Sequence, residues 1–325
     1  MQRFQPLDRA NGPWLQAAKE SRGRIASLDE GSMMEPLLTL GLPKGSLQEA
    51  TIDLFHRAGF QIQVSDRSYF PSIDDPQIRC VMFRSQEMAR YTEDGIVDCG
   101  VTGLDWIEET ESDVHQIGEM QYSKVSARPA RWVLAVPNES DVQTPEDLVG
   151  GVVATELVAT TRRYFEKKGI NVKVEFSWGA TEVKARILNA IVDVTETGSS
   201  LRANNLRVID EIMSSTPRFI ANKEAWADPK RREKIESINL LLQGAIAARS
   251  KVGLKLNVPL TKLGDVLDVI GSFGEHSPTV SPLTDNDWVA LEVILEEHTE
   301  REAIPKLQRA GASGFVSYPL NKVIS

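Results

Sequence analysis

The chain has 325 residues, of which 41% are hydrophobic and 26% are charged. This length accommodates two or three domains of roughly 100–200 residues each, and the composition is that of a globular chain rather than a disordered one. The formal net charge of −9 argues against a general binder of nucleic acid or anionic membranes, which usually presents a basic face. No run approaches 18 uninterrupted apolar residues, so we expect no membrane span.

Residues 1–34 lie ahead of the first convincing strand, and we treat them as an N-terminal extension outside the fold. The segment 1–31 has no apolar central region and mixes arginines with acidic residues, which is atypical of a secretory signal peptide. Cys80 and Cys99 are the only cysteines, and their spacing does not indicate a zinc site. Two thiols in a chain of this kind indicate a reducing compartment, and we expect a cytoplasmic protein.

Alternating strands and helices occupy the chain from residue 36 onward. The predicted elements are a strand at 36–42, a helix at 47–58 closed by Gly59, a strand at 78–83, a short helix at 87–91 and a strand at 96–101. This alternation predicts an α/β lobe with a mainly parallel sheet. We assign lobe I to residues 35–128 and 215–250, because the segment 218–222 and a long helix at 229–247 return to it.

The pattern restarts after Arg131 and predicts lobe II, residues 129–214. Its predicted elements are strands at 132–136, 152–155, 172–176 and 190–195, with helices at 159–168 and from Thr181. The result is a two-lobed core like that of type II periplasmic binding proteins. Clefts between lobes are favoured ligand sites.

The last 75 residues, 251–325, have a different order. Strands at 251–258, 279–283, 288–295 and 314–318 enclose helices at 260–273 and 301–310, which is the β-α-β-β-α-β order of a ferredoxin-like domain.

The segment Ala190–Leu201 carries the sharpest chemical signal. An apolar strand runs into Thr197-Gly198-Ser199-Ser200, where hydroxyls and free amides at a helix start favour a phosphate. Asp193 and Glu196 could accept hydrogen bonds from a ribose diol or hold a hydrated Mg²⁺. The residues alone leave a second interpretation open, an acidic strand end followed by an ordinary helix cap.

Several motifs in order along the chain resemble those of the ATP phosphoribosyltransferases. They are Leu42-Pro43-Lys44-Gly45-Ser46-Leu47, the run Gly95–Gly103, Gly179-Ala180-Thr181-Glu182, the run Asp193–Leu206, and Pro278–Leu283, Asp287–Ala290 and Gly311–Gly314 of the long form. Ser46 stands where the family commonly has arginine. Leu157-Val158 stands where a Tyr-Pro pair is common, so no aromatic stacking contact is expected there.

The resemblance implies that adenine N1 of ATP attacks C1 of 5-phosphoribosyl 1-pyrophosphate, giving phosphoribosyl-ATP and pyrophosphate with Mg²⁺ as cofactor. Lys44, Asp193 and Glu196 are then the candidate catalytic residues, with Asp193 and Glu196 also candidate Mg²⁺ ligands. The candidate substrate-binding residues are Arg84, Asp98, Thr102, Thr197, Gly198, Ser199 and Ser200.

The long form's resemblance also implies feedback inhibition by histidine and a homo-oligomer, expected to be a hexamer. The residues expected to line the histidine site are Ser277, Thr279, Ser281, Ala312, Ser313 and Gly314. The competing hypothesis is a two-lobed small-molecule binding protein without catalytic activity, because the same lobe pattern describes such proteins.

Overall fold

The computed structural model describes residues 36–65, 68–121, 129–274 and 278–324. The extension 1–34 and Ser277 lie outside these described residues. The chain forms two compact units, one ending at Asn239 and the other beginning at Leu240, with residues 57–59 belonging to the second unit. The division therefore falls inside a helix, Pro229–Ala247, ahead of the expected domain start at residue 251.

Lobe I is built on a five-stranded sheet with the order β4-β1-β5-β12-β6. Its strands are β1 (Leu38–Lys44), β4 (Ile78–Arg84), β5 (Cys99–Gly103), β6 (His115–Glu119) and β12 (Pro217–Ala221). β1 pairs in parallel with β4 and β5, whereas β12 is antiparallel to β5 and β6. Residues 38–43 are all buried, as expected of a strand covered on both faces.

Three helices of lobe I follow strands of this sheet in the chain: α1 (Gln48–Ala58), α2 (Ser85–Glu93) and α3 (Leu104–Thr110). A small separate pair of strands, β2 (Ile62–Gln63) and β3 (Ser72–Ile73), precedes β4.

Lobe II is built on a second sheet with the order β11-β7-β10-β8-β9. Its strands are β7 (Ala130–Pro137), β8 (Val152–Thr155), β9 (Lys173–Phe176), β10 (Ala190–Thr195) and β11 (Leu206–Ser215). β7 is antiparallel to β10 and β11, and β8 is parallel to β10 and β9. The helices of this lobe are α4 (Val158–Lys168), α5 (Thr181–Lys184) and α6 (Ser199–Ala203).

The chain passes between the sheets from β6 to β7 and returns from β11 to β12. Two sheets with two crossing connections confirm the predicted two-lobed core. The sequence did not predict β6 or β11. In β11, register shifts at Val208/Asp210 and Glu211/Met213 break the alternation of apolar residues that identifies a strand.

Two helices follow β12, α7 (Lys223–Ala227) and α8 (Pro229–Ala247). Asn222 caps α7 by accepting hydrogen bonds from the amides of Glu224 and Ala225, as N-cap residues do. Among the described residues no helix has the length and apolar character that crossing a membrane requires.

The second unit carries a four-stranded sheet with the order β14-β15-β13-β16, and its neighbouring strands are all antiparallel. The strands are β13 (Lys251–Pro259), β14 (Thr279–Pro282), β15 (Trp288–Glu296) and β16 (Ser313–Pro319), and the helices are α9 (Leu263–Gly271) and α10 (Glu297–Ala310). Both helices bury alternate residues of β13 and β15, which confirms the predicted ferredoxin-like arrangement.

Candidate active site

A cavity of ≈ 1300 Å³ lies between the two lobes. Lobe I contributes residues from the ends of β1, β4 and β5, and lobe II contributes residues from the end of β10 and the turn that follows it. The floor is formed where the chain crosses between the lobes, at Ser215, Thr216 and Pro217. The cleft therefore collects strand ends from both sheets, where α/β proteins place their ligands.

Residues Thr197–Ser200 form a turn on the lobe II wall, which we call the phosphate turn. Thr197, Ser199 and Ser200 are exposed and line the cleft. Gly198 has a φ of 73°, a left-handed conformation that favours glycine, and its amide donates to Thr195 Oγ1 over 2.8 Å. The following helix α6 is only 5 residues long, so hydroxyl groups supply more of this turn's polarity than a helix dipole does.

Three carboxyl groups of lobe II, those of Asp193, Glu182 and Glu156, lie close enough to interact electrostatically. The pKa of Asp193 is raised from 3.8 to about 6, mainly by burial and to a lesser extent by the negative charges of Glu182 and Glu156, while a hydrogen bond from the Val194 amide opposes the shift. Glu182 accepts a short hydrogen bond from Ser200. The lining of the cleft includes Glu156 and the exposed Glu196 but not Asp193.

Two cations stand side by side on the lobe I wall. Lys44 ends β1, Arg84 ends β4, and the parallel register pairs the two residues directly. Neighbouring strands are about 4.8 Å apart, so the two positive charges lie at the same edge of the cleft. A bound anion would stabilise this arrangement, because it offsets the repulsion between the two cations. Both residues line the cavity, and Lys44 Nζ lies 3.8 Å from the centre of the Tyr69 ring.

Asp98 and Thr102 do not line the cleft. β5 begins at Cys99 rather than at residue 96, so Asp98 precedes the strand and lies at its amino end, away from the cleft. Its carboxylate accepts from the Thr39 amide at 2.7 Å and pairs with Arg231 at 3.2 Å. Thr102 is buried and donates to the Ser85 carbonyl at 2.8 Å, which ties β5 to the start of α2. The structure gives both side chains structural partners.

The floor of the cleft contains an acid that the sequence analysis missed. Asp105 is 7% exposed and accepts a hydrogen bond of 2.7 Å from Trp132 Nε1, a residue of lobe II. Burial raises the pKa of Asp105, although hydrogen bonds from Trp132 and Ser215 oppose that shift. Trp106 packs edge-on against Trp132 with ring centres 6.1 Å apart. The signal available in the sequence for this part of the site was a carboxylate and a tryptophan, Asp105 and Trp106, directly after the end of β5.

The lobes are also joined by a helix cap. Leu157, the N-cap of α4, has no side chain that can cap the helix. Glu109 of lobe I takes this role, and its two carboxylate oxygens each accept at 2.9 Å, one from the Ala159 amide and one from the Thr160 amide. Arg163 of α4 reaches back to the Glu108 carbonyl. Helix α3 is therefore bound to both lobes.

Comparison with known proteins decides the family. The family model "ATP phosphoribosyltransferase" (HisG) matches residues 84–244, and the model "HisG, C-terminal domain" matches residues 248–322. The ATP phosphoribosyltransferase of Solibacter usitatus is 57% identical over 89% of this chain and 99% of its own length. The chain belongs to the ATP phosphoribosyltransferase family. Its match to the C-terminal model identifies the long form.

Two further relatives agree with this assignment. The ATP phosphoribosyltransferase of Thermodesulfovibrio yellowstonii is 55% identical over 90% of this chain and 100% of its own length. A solved ATP phosphoribosyl transferase (HisG:HisZ) complex from Thermotoga maritima is similar with a TM-score of 0.54 and 28% identity, covering 63% of this chain and 96% of that one. The chain is accordingly a transferase of the pentosyltransferase class, and the alternative of a binding protein without catalytic activity is set aside.

Proposed function

We propose that the cleft joins N1 of the adenine of ATP to C1 of 5-phosphoribosyl 1-pyrophosphate, the first step of histidine biosynthesis. The N1–C1 bond forms, the bond between C1 and the pyrophosphate oxygen breaks, and the products are phosphoribosyl-ATP and pyrophosphate. The observation that carries this proposal is the pairing of two walls: the hydroxyl-rich phosphate turn on lobe II and the adjacent Lys44 and Arg84 on lobe I.

In this proposal the phosphate turn binds the 5′-phosphate of the sugar. Thr197, Ser199 and Ser200 offer hydroxyl donors, and Gly198 gives the backbone the shape that lets a phosphate approach. The exposed Glu196 is positioned one residue before the turn to accept from the ribose hydroxyls.

Lys44 and Arg84 are proposed to neutralise the departing pyrophosphate, whose negative charge grows as the C1–O bond breaks. Arg84 can form paired hydrogen bonds to phosphate oxygens, whereas Lys44 acts as a compact point charge. Adenine N1 already carries a lone pair, so the residues must hold it in line with C1 rather than remove a proton.

Mg²⁺ is the proposed cofactor, and the donor set suits it. Burial is the main cause of the raised pKa of Asp193, with a smaller contribution from the nearby Glu182 and Glu156, and a bound cation would favour the ionised carboxylate. In the described part of the chain, His, Cys, Asp and Glu side chains form no group of three that could hold a metal ion. Mg²⁺ usually takes one or two carboxylates, substrate phosphates and waters. Asp193 and Glu196 would be those carboxylates, and the bound ion would neutralise pyrophosphate charge.

The test combines the protein with ATP, 5-phosphoribosyl 1-pyrophosphate and Mg²⁺, and follows the absorbance of phosphoribosyl-ATP. We expect product only when all components are present, with omission of each one as the control. If the wild-type protein binds both substrates but forms no product, a binding protein becomes the better interpretation. Because the reaction consumes ATP, the cytoplasm is the proposed location.

Feedback inhibition by histidine is proposed for the C-terminal domain. Thr279 and Ser281 are exposed on β14, while Ser313 and Gly314 begin β16. These strands are the two edges of the sheet, about 14 Å apart at three strand spacings, so the two groups could enclose one ligand only across paired subunits. Ala312 is buried, and its amide donates to the Leu307 carbonyl, so its own contribution is limited to the carbonyl oxygen.

Two experiments test these regulatory proposals. Thr279→Val combined with Ser313→Leu should abolish inhibition by histidine while the uninhibited rate stays unchanged. If histidine inhibits this double variant with unchanged potency, the inhibitor binds elsewhere.

We propose a homo-oligomer, expected to be a hexamer, because exposed edges such as β14 favour association. A stable monomer by light scattering at micromolar concentration would contradict it.

A further inference from the structure

Two consecutive aromatic rings line the lobe I side of the cleft. Tyr69 is 54% exposed and Phe70 is 44% exposed, and both face the cavity. We call them the rim pair. Single exposed aromatic side chains are common on protein surfaces, but two adjacent rings on the wall of a ligand cleft offer a flat apolar surface that suits a planar ligand.

The backbone of the rim pair is fixed to the sheet. The Tyr69 carbonyl accepts a hydrogen bond of 2.8 Å from the amide of Met82 in β4. The Phe70 amide donates over 3.0 Å to Ser68 Oγ. The first of these bonds fixes the backbone at Tyr69 beside β4, whose last residue is Arg84, so the backbone that carries the two rings is in place before any ligand arrives.

The rim pair adjoins the cations of the lobe I wall. Lys44 Nζ lies 3.8 Å from the centre of the Tyr69 ring, and Lys44 is paired in register with Arg84. The rings therefore lie beside the cations proposed for the departing pyrophosphate, so a planar base stacked on them would be held close to the reacting C1.

The other aromatic rings that line the cleft pack against neighbouring rings of the protein. Phe83 packs against Tyr91, and Trp106 packs against Trp132. On lobe II, Leu157 is fully buried and offers no ring. The rim pair is therefore the best available surface for a base in the described part of the cleft.

We propose that Tyr69 and Phe70 stack on the adenine of ATP and position N1 toward C1 of the sugar. This inference rests on the proposed function and adds two positioning residues on lobe I that recognise the base. The sugar phosphate, bound by the phosphate turn of lobe II, does not use them.

The test compares Phe70→Ala, Tyr69→Ala and Tyr69→Phe with the wild-type enzyme. Loss of one stacking ring should raise the KM for ATP about tenfold, while the KM for 5-phosphoribosyl 1-pyrophosphate changes less than twofold. Tyr69→Phe keeps the ring and should stay within twofold for both substrates. Phe70→Ala is the cleaner variant, because it leaves the contact between Lys44 and Tyr69 in place.

Phe176→Ala is the matched control, since Phe176 is 50% exposed and does not line the cleft. We expect it to leave both KM values unchanged. Binding of 1,N6-etheno-ATP, whose N1 is chemically blocked, gives a readout without turnover. Its fluorescence should respond to titration with wild-type protein, and the midpoint should move to about tenfold higher concentration with Phe70→Ala.

The outcomes separate this inference from the proposed function. A wild-type enzyme that makes product, together with a Phe70→Ala variant that binds etheno-ATP normally or raises both KM values equally, overturns the stacking role and leaves the reaction standing. Absence of product from the wild-type protein would instead contradict the proposed function.

Discussion

The two walls of the cleft are built from similar strand ends but carry opposite chemistry. Lobe I presents paired cations, Lys44 and Arg84, beside exposed aromatic rings. Lobe II presents the hydroxyls of the phosphate turn together with carboxyl groups. The difference shows how a two-lobed scaffold can serve two substrates in the proposed reaction: lobe II suits the sugar phosphate, lobe I offers rings for the base and cations for the departing pyrophosphate, and the bond forms where the lobes meet.

The largest effect is expected at Gly198, on which the lobe II wall depends. Gly198→Val places a β-branched side chain at a φ of 73°, and its Cβ would lie 2.9 Å from the Arg202 guanidinium. We expect affinity for 5-phosphoribosyl 1-pyrophosphate to fall by more than about 100-fold, the loss of roughly 3 kcal/mol, with the fold intact. Isothermal titration calorimetry measures it.

Gly150→Val is the matched control for backbone strain. Gly150 has a φ of 77°, and a Cβ there meets no atom within 4 Å. This variant should lose stability but keep its affinity for the sugar phosphate. Equal affinities of the Gly198→Val variant and the wild-type enzyme would remove the phosphate turn from the site.

The next effect is expected for the acids of lobe II. Asp193→Asn and Glu196→Gln should each lower turnover by more than tenfold, about 1.4 kcal/mol in the barrier, because in the proposed function both carboxylates hold the ribose hydroxyls or the Mg²⁺. Asp141→Asn, an exposed acid outside the cleft lining, serves as the control. Wild-type turnover of both variants at saturating Mg²⁺ would make the two acids structural.

The titration of Asp193 adds a prediction for stability. Because its pKa is about 6 in the folded protein and 3.8 ordinarily, the folded state binds a proton more tightly than the unfolded state does. The stabilising contribution is present below pH 4 and is lost as the pH rises through about 6.

Asp193→Asn cannot ionise and should escape this loss. Its free energy of unfolding should exceed that of the wild type at pH 7 by an amount on the order of 1–3 kcal/mol, and the difference should vanish near pH 4. Urea unfolding at the two pH values measures it. A difference that does not depend on pH would show that the carboxyl group is not the cause.

Local patterns predicted much of the fold, because an uninterrupted run of apolar residues, as in β1 and β10, identifies a buried strand within a single segment. The strand β11 was missed because bulges interrupt its alternation. The strand β5 begins three residues later than expected, so Asp98 precedes the strand instead of lying within it. Strand boundaries depend on pairing partners that a single segment does not reveal.

The candidate site likewise contains some features that the local sequence predicts and others that depend on tertiary contacts. The phosphate turn is one contiguous segment, so its residues could be selected from the sequence, and their roles stay predictions. The pairing of Lys44 with Arg84 and the bond between Asp105 and Trp132 join residues distant along the chain. Register and tertiary contact create these arrangements, and no local spacing encodes them.

The smallest effect is expected for the cap that joins the lobes. Glu109→Ala removes the carboxylate that accepts from the Ala159 and Thr160 amides, and Leu157 cannot replace it. Loss of a helix cap costs about 1 kcal/mol, so the start of α4 should open more often. Hydrogen exchange at these two amides should accelerate about fivefold.

Glu111→Ala removes an ion pair whose acid is 65% exposed and should leave the two rates unchanged, since such pairs contribute little. Unchanged exchange in the Glu109→Ala variant would mean that α4 is held by its own lobe, and that the two walls of the cleft are not fastened together at this helix.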